Sequence, residues 1–173
     1  MPIDVRFFVA TVPKPSNKRH AALVGGHARV VQHQSAIAAI AAQHRPAGVI
    51  DSPVVVDLVV VLPRPLALCK LAARTGAPLK APGRRWAGSR PDIDNLAKSV
   101  LDGLRGWWCD DSLVVGLRAF KVIGALGEAP GYHVRIRDAA AWAELVQVCD
   151  DGNRRTAPLQ VARQQSLEVS DAR

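Results

Sequence analysis

A run of valine and leucine in the first half of the chain places the strongest constraint on how it folds. Residues 54–62 read VVVDLVVVL, with Asp57 as their only charged residue. β-Branched residues favour strands, and a run that does not alternate with polar residues is typical of a strand buried on both faces. The run is too short to cross a bilayer, which needs about 20 apolar residues. We therefore expect a buried strand from Ser52 to Leu62.

The remaining patterns predict further strands and helices around this run. β-Branched and aromatic residues predict strands at 3–12, 112–123 and 132–137, and Gly and Pro at 124–131 predict a hairpin loop between the last two. Apolar residues at helical spacing predict helices at 29–44, from Asn95 to about Leu104, and at 139–148. Residues 63–91 hold five prolines and are expected to form a long loop, with one or two helical turns at 66–74.

The order of these elements predicts the fold class. Strand, helix, strand, loop, helix, strand, strand indicates a small single α/β domain, of the α+β type, in which a mixed β-sheet is packed by helices. A length of 173 residues fits one such domain, and we assign it to residues 1–150. Residues 151–173 are polar and lack an apolar period, which predicts a disordered tail.

The charge of the chain indicates a polyanionic partner. The formal net charge is +8, and the stretch between Leu58 and Pro91 contains seven basic residues and no acidic one. A run of one sign is typical of a surface that binds phosphates. The three cysteines have no C-x-x-C spacing, which favours reduced thiols over a disulfide framework or a zinc site. No signal peptide or membrane-spanning segment is predicted, so we expect a cytoplasmic protein.

Acidic residues gather directly after this basic stretch. Pro91 predicts an extended backbone before it, on which Asp92 and Asp94 point to the same side. Asp94 is also a candidate N-cap for the helix that follows. Lys98 and Asp102 continue one face of that helix at a spacing of four residues.

A second acidic pair, Asp110 and Asp111, precedes the next strand. We expect these carboxylates and the helix lysine to meet at one strand–helix corner. Carboxylate oxygens are the ligands that Mg²⁺ prefers, and a bound cation activates water for phosphodiester hydrolysis. The alternative reading is structural, with each Asp serving only as a cap or turn residue.

The spacing of these residues resembles a known family. Asp-x-Asp-Asn-Leu-x-Lys, then Leu-Asp-Gly-Leu, an aromatic residue and Asp-Asp-x-x-Val-Val are similar to the RusA-type Holliday junction resolvases. Pro15-Ser-Asn17 and Lys121 also match that pattern, and the resemblance covers roughly residues 5–137.

The resemblance implies a Mg²⁺-dependent, structure-selective endonuclease, with Mn²⁺ as a substitute. It would resolve four-way DNA junctions by paired symmetric nicks, act as a homodimer and serve recombination and repair. The implied catalytic residues are Asp92, Asp94, Asp111 and Lys98, of which the three aspartates hold the metal. The supporting residues are Asp110, Asn95 and Asp102. The expected DNA-binding residues are Lys14, Asn17, Lys18, Lys80, Arg84, Arg85 and Arg90.

Some assignments stay open from the sequence alone. The chain could be a different branched-DNA metal nuclease or a junction-binding protein without catalysis. Lys98 could only form a surface pair with Asp94 or Asp102, and Asp102 could instead hold Lys98 in place. Trp107 and Trp108 are predicted to lie in the core or at a subunit interface, whereas Trp86, inside the basic run, is the candidate for base stacking.

Overall fold

The computed structural model describes residues 3–14, 26–72 and 74–142. They form two helices and a mixed sheet, which confirms the predicted fold class. The strands are β1 (Asp4–Ala10), β2 (Val54–Leu62), β3 (Arg85–Trp86), β4 (Val114–Ile123) and β5 (Gly131–Asp138); the helices are α1 (Gly26–Ala42) and α2 (Ile93–Gly103). Short 3₁₀ turns lie at Leu66–Leu68, Asp111–Leu113 and Ala139–Trp142. The sheet order is β1-β5-β2-β4-β3.

The valine-rich strand β2 lies at the centre of the sheet. It pairs in parallel with β4 on one side and antiparallel with β5 on the other. Its even-numbered residues belong to a single apolar core with Ile37 of α1 and Leu96 of α2, so both helices pack on the same face of the sheet. The expected burial on both faces therefore holds only in part: Val55 and Val61 are buried, but Asp57 and Val59 on the face away from this core are partly exposed.

The chain passes from β2 to the parallel strand β4 through α2. The helix must therefore run opposite to both strands, with its first residues at their carboxyl ends and its last residues at their amino ends. Two contacts show this arrangement. Lys121, near the end of β4, binds the segment just before α2, whereas Ile50, before β2, forms a bridge with Trp108, after α2.

The predicted hairpin between the last two strands is wrong. β4 and β5 are not neighbours; they flank β2 on opposite sides, and residues 124–130 connect them. The physical reason is the apolar character of β2. A strand of this composition is most stable when both of its edges are paired, and β5 supplies the second partner.

The two helices pack closely at Gly103. A Cβ atom at this position would lie 2.7 Å from Cγ2 and 2.9 Å from Cβ of Ile37 in α1. The absence of a side chain therefore permits the contact between the helices. Gly106, at φ +88°, supplies the left-handed conformation that follows the helix.

Several predictions fall at the limits of the described residues. Ala139–Trp142 forms a 3₁₀ turn, and the rest of the predicted helix at 139–148 lies outside the described residues. The domain limit at residue 150 and the tail at 151–173 lie outside them as well and stay predictions. None of the helices that the structure describes is long and apolar enough to span a membrane.

Candidate active site

The first acidic pair lies at the amino end of α2. The helix begins at Ile93, two residues earlier than predicted. Asp92 is the N-cap residue, at φ −71° and ψ 143°, and Asp94 lies in the first turn. The prediction that Asp94 caps the helix is thus wrong, because Ile93 packs against the core and draws the first turn inward. Both carboxylates are exposed, and the amide Nδ2 of Asn95 lies 3.4 Å from Oδ1 of Asp94. Negative charge is favourable at this end of a helix.

Lys121 fixes the backbone that leads into this acidic pair. Its Nζ, on β4, donates hydrogen bonds of 2.6 Å to the carbonyl oxygens of Ser89 and Pro91. The Arg90–Pro91 peptide bond between these carbonyls is cis. Lys121 therefore holds the residue before Asp92 against the sheet, a role that the sequence pattern did not reveal.

Lys98 lies one turn beyond Asp94 and its side chain is exposed. In the part of the chain that the structure describes, it forms no ion pair within 4.0 Å with Asp94 or Asp102. Asp102 instead accepts a 2.8 Å hydrogen bond from Nε2 of Gln34 and lies 3.9 Å from Nη2 of Arg105. The expectation that Asp102 holds Lys98 is therefore wrong, and Asp102 connects α2 with α1.

The two residues of the second acidic pair, Asp110 and Asp111, form different hydrogen bonds. Asp110 caps the 3₁₀ turn at Asp111–Leu113, where its Oδ1 accepts a 2.7 Å hydrogen bond from the backbone N–H of Ser112. Hydrogen bonds from Ser112, through its hydroxyl and then its backbone N–H, lower the pKa of Asp110. Oδ1 of Asp111 accepts a 2.9 Å hydrogen bond from Nε1 of Trp108. This indole is buried, as predicted, and it fixes the orientation of the Asp111 carboxylate.

The two acidic pairs do not meet within one chain, which corrects the prediction of a single corner. Asp92 precedes α2 at the carboxyl ends of the parallel strands, whereas Asp111 follows it at their amino ends. From Asp92 to Leu104 the helix rises by about 18 Å at 1.5 Å per residue. Consistent with this separation, residues 3–14, 26–72 and 74–142 contain no group of three His, Cys, Asp or Glu side chains that could hold a metal ion.

Two arginines of the basic stretch after β2, Arg64 and Arg84, form contacts within the chain. Arg64 donates to the carbonyl oxygens of four residues and so ties the stretch together. These residues are Leu68, Ala81, Gly83 and Gly124. Arg84 pairs with Glu128, with Nε 2.9 Å from Oε1, and this contact lowers the pKa of Glu128 to about 2. Both arginines are thus engaged within the chain, although the charge pattern had placed them on a phosphate-binding surface.

The other expected DNA-binding residues are placed differently. The side chains of Lys80, Arg85 and Arg90 are exposed, and Arg85 lies on the two-residue strand β3 beside Trp86, which is 76% exposed. Lys14 is exposed as well, while its backbone N–H donates a 3.1 Å hydrogen bond to Oη of Tyr132. Asn17 and Lys18 lie outside the described residues.

Comparison of the sequence with known proteins finds a match to one family. The sequence profile described as "Endodeoxyribonuclease RusA" matches residues 10–137. The chain belongs to the RusA family. The matched range contains every residue predicted above to act in catalysis or DNA binding, from Lys14 to Asp111. Membership in this family supports the prediction that the chain is a nuclease that acts on Holliday junction DNA.

One protein of known sequence is similar to more than half of the chain. The chain is 34% identical over 106 residues to the protein YqaN of Bacillus subtilis (strain 168), which is described as uncharacterized. The aligned region covers 61% of this chain and 71% of the relative. The description of this relative carries no statement about activity.

Sequence reasoning noticed Lys121 and Arg64 but did not foresee what they bind. Lys121 and Arg64 both donate to backbone carbonyls of residues that are distant in sequence. For Lys121 the sequence offered a match to the family pattern, and for Arg64 its place in the basic stretch was the available signal. Because a charge pattern does not distinguish a cation that binds DNA from one that binds the backbone, this signal was not sufficient.

Proposed function

We propose that this RusA-family chain is a Mg²⁺-dependent endonuclease that resolves four-way DNA junctions by paired, symmetric nicks in recombination and repair. One observation carries the proposal: two exposed carboxylates, Asp92 and Asp94, stand at the amino end of α2 with the exposed Lys98 one turn away. In open α/β sheets, ligands bind beyond the carboxyl ends of the parallel strands, which is where this group lies.

The chemistry of the donor set fits a hard cation. Mg²⁺ is usually held by one or two carboxylates together with water and substrate phosphate, and Mn²⁺ accepts the same oxygen ligands. Asp92 and Asp94 would supply the carboxylates. A bound Mg²⁺ would lower the pKa of a water molecule and offset the negative charge at the attacked phosphate.

The surrounding residues position the substrate. Hydrolysis adds water across the bond between phosphorus and the 3′ oxygen, and it leaves a 5′-phosphate and a 3′-hydroxyl. Lys98 is placed to donate a hydrogen bond to the departing 3′ oxygen or to a non-bridging phosphate oxygen, where charge develops. Lys121 keeps the backbone before Asp92 in place through its two carbonyl contacts, which limits the motion of the acidic pair.

The position of Asp111 supports a homodimer. In one chain, Asp111 lies at the edge of the sheet opposite to Asp92 and Asp94, so no change of rotamer can bring it to them. A two-fold axis can, because it places the amino end of one strand beside the carboxyl end of its copy. We therefore assign Asp111 to the site of the partner subunit. The same symmetry gives two equivalent sites, as paired nicks require.

Cleavage of a synthetic four-way junction tests the proposal. The chain should introduce paired nicks with Mg²⁺ or Mn²⁺ and none in EDTA. Asp94→Asn should abolish cleavage and leave junction binding intact or tighter, because it removes a negative charge near phosphate. Asp4→Asn, on β1, is the matched control and should cleave normally.

Other outcomes distinguish the remaining functions. Equal cleavage of flaps, three-way junctions and four-way junctions would indicate a general branched-DNA nuclease. Binding to the junction without cleavage at any divalent metal concentration would indicate a binding protein, and it would refute the proposed activity.

A further inference from the structure

We infer that the face of the sheet opposite to the two helices binds single-stranded DNA, with bases stacked on a row of aromatic rings and phosphates held by a row of arginines. We call this surface the helix-free face, because α1 and α2 both pack on the other side of the sheet. The inference goes beyond the proposed nuclease, since neither row contains a residue of the carboxylate site.

The aromatic row crosses the sheet at right angles to the strands. Phe8 on β1 is paired with His133 on β5, and His133 is paired with Val59 on β2. Val59 is in turn paired with Phe120 on β4, and the ring of Trp86 on β3 lies 6.3 Å from that of Phe120. Residues paired in this way point to the same face. With strands about 4.8 Å apart, the row spans about 19 Å from β1 to β3.

The rings of this row are accessible to a stacking partner. Trp86 is 76% and Phe120 50% exposed, and His133 is exposed as well. Aromatic pairs across strands also stabilise sheets, but exposure of this degree leaves much of each ring open to other contacts. Sheets of RNA-binding domains use exposed rings to stack about two or three bases. Such stacking tolerates any sequence, because every base has an aromatic face.

The arginine row runs parallel to the aromatic row. Two residues away from the rings on β1, β5 and β4 lie Arg6, Arg135 and Arg118. A step of two residues keeps the side chains on the same face and separates the rows by about 7 Å. This separation is comparable with the distance from a base to the phosphate of the same nucleotide. One strand of DNA can therefore contact both rows at once.

Two aspartates orient these arginines and leave the row positively charged. Each carboxylate is shared by two guanidinium groups: Asp4 by Arg6 and Arg135, and Asp57 by Arg118 and Arg137. The distance from Nε to the nearest carboxylate oxygen is 2.8 Å for Arg135 and 2.6 Å for Arg118. Because four arginines share two aspartates, a net positive charge remains, which a phosphate backbone complements.

A cavity of about 330 Å³ lies between the two rows. Val59 and His133 line it from one side, and Arg6, Asp57 and Arg135 line it from the other. Its volume is within the range of about 300–1,000 Å³ that is usual for ligand clefts. The cavity therefore offers a place for one base that turns inward from the bound strand.

The chemistry of this face favours DNA over a second copy of the chain. A second copy would bring the same net positive charge, and pairing would bury the ion pairs of both copies, which costs free energy. Single-stranded DNA brings negative charge and flat rings together. The aromatic row also ends at Trp86, six residues before Asp92, so a strand on this face would approach the segment that carries the first acidic pair.

Binding of a short, fluorescently labelled oligothymidine in EDTA tests the inference without any cleavage. Phe120→Leu removes a ring and keeps an apolar side chain, so the dissociation constant should rise by about 5- to 150-fold. Phe120→Trp keeps a ring and should bind as tightly as the unmodified chain. Val31→Ala, at an exposed apolar position on α1, is the matched control and should bind normally.

The arginine row predicts a separate effect on salt dependence. Arg6→Gln removes a charge whose side chain is 64% exposed. The slope of log affinity against log salt concentration should then become shallower by about 0.7, the value for one phosphate contact with a single strand. Arg105→Gln, at an exposed arginine after α2, is the matched control and should leave the slope unchanged.

The outcomes separate this inference from the proposed activity. Equal affinity of a folded Phe120→Leu protein and the unmodified chain overturns the inference, as does an unmodified chain that does not bind oligothymidine. Unchanged affinity together with a lower sedimentation mass for Phe120→Leu would assign the face to a second copy instead. A chain that binds oligothymidine through both rows yet cleaves no junction refutes the nuclease proposal and leaves this surface in place.

Discussion

Mixing two inactive variants should restore cleavage if the site is shared between subunits. Asp92→Asn removes a carboxylate from the amino end of α2, and Asp111→Asn removes one from the opposite edge of the sheet. Each homodimer carries the defect in both of its sites. In a mixed dimer, one site receives both substitutions, and the other receives Asp92 and Asp111 in their native form.

The size of the recovery follows from the symmetry. With equal amounts and free exchange, about half of all dimers are mixed and one of their two sites is intact, so about one quarter of all sites regain activity. Loss of one preorganised group from a site costs on the order of 10²-fold in rate. The mixture should therefore nick roughly 25 times faster than either variant alone.

A supercoiled plasmid with an extruded cruciform provides the assay. A mixed dimer has a single working site, so the product should be the nicked circle, with little of the linear form that two cuts produce. The matched control mixes Asp92→Asn with Asp94→Asn. These residues belong to the same half of the site, so every site keeps a defect and no activity returns. Absence of recovery in the first mixture, with mixed dimers verified by two affinity tags, would refute the shared site.

Three further predictions concern single residues. Lys98→Ala should lower the single-turnover cleavage rate on the order of 10²-fold with little change in junction affinity, and Lys98→Arg should also be slow; near-normal rates for both would assign Lys98 to a surface role. Arg85→Glu should weaken junction binding and reduce its salt dependence, whereas Arg84→Glu should mainly lower the melting temperature because it breaks the Glu128 pair; equal salt slopes for the two variants would contradict this division. Gly103→Ala should destabilise the fold by about 1–2 kcal/mol in urea unfolding, through overpacking against Ile37, and a gain in stability would show that the helices separate easily.

The elements with strong local patterns were predictable from the sequence. The valine run required a buried strand, and β2 is the centre of the sheet. The apolar stripe of α2 was equally clear: Leu96, Val100 and Leu104 are fully buried as that stripe predicts. These predictions succeeded because periodicity reports which side of an element meets the core.

The strand order and the ends of elements were less predictable. The Gly and Pro residues at 124–131 indicated a turn but not the strands that it joins, and β2 separates β4 from β5. Helix α2 begins two residues earlier than predicted because Ile93 packs against the core. Capping preferences do not include this tertiary contact. Strand β3 was missed, since a two-residue strand carries no period.

Charge patterns predicted a basic surface but not which cations remain available for DNA. Arg64 and Arg84 are engaged with carbonyl oxygens and with Glu128, partners that lie up to 60 residues away in sequence. Both contacts hold the segment between β2 and α2 in place. The exposed Lys80 and Arg85 lie on this anchored segment, and the anchoring would reduce the entropy cost of the proposed DNA binding.

Under the proposed function, the position of the carboxylates ties cleavage to assembly. In a strand–helix–strand crossover, the two ends of the helix lie at opposite edges of the sheet, so residues before and after α2 cannot share a site in one chain. Asp111 is further restrained by the buried indole of Trp108, which prevents it from moving far from its own edge. In the dimer proposed above, a partner would complete the site, and a dissociated subunit would lack a carboxylate at its own site. If the chain cuts two strands of one junction, as proposed, this coupling would confine cleavage to the form that carries two sites.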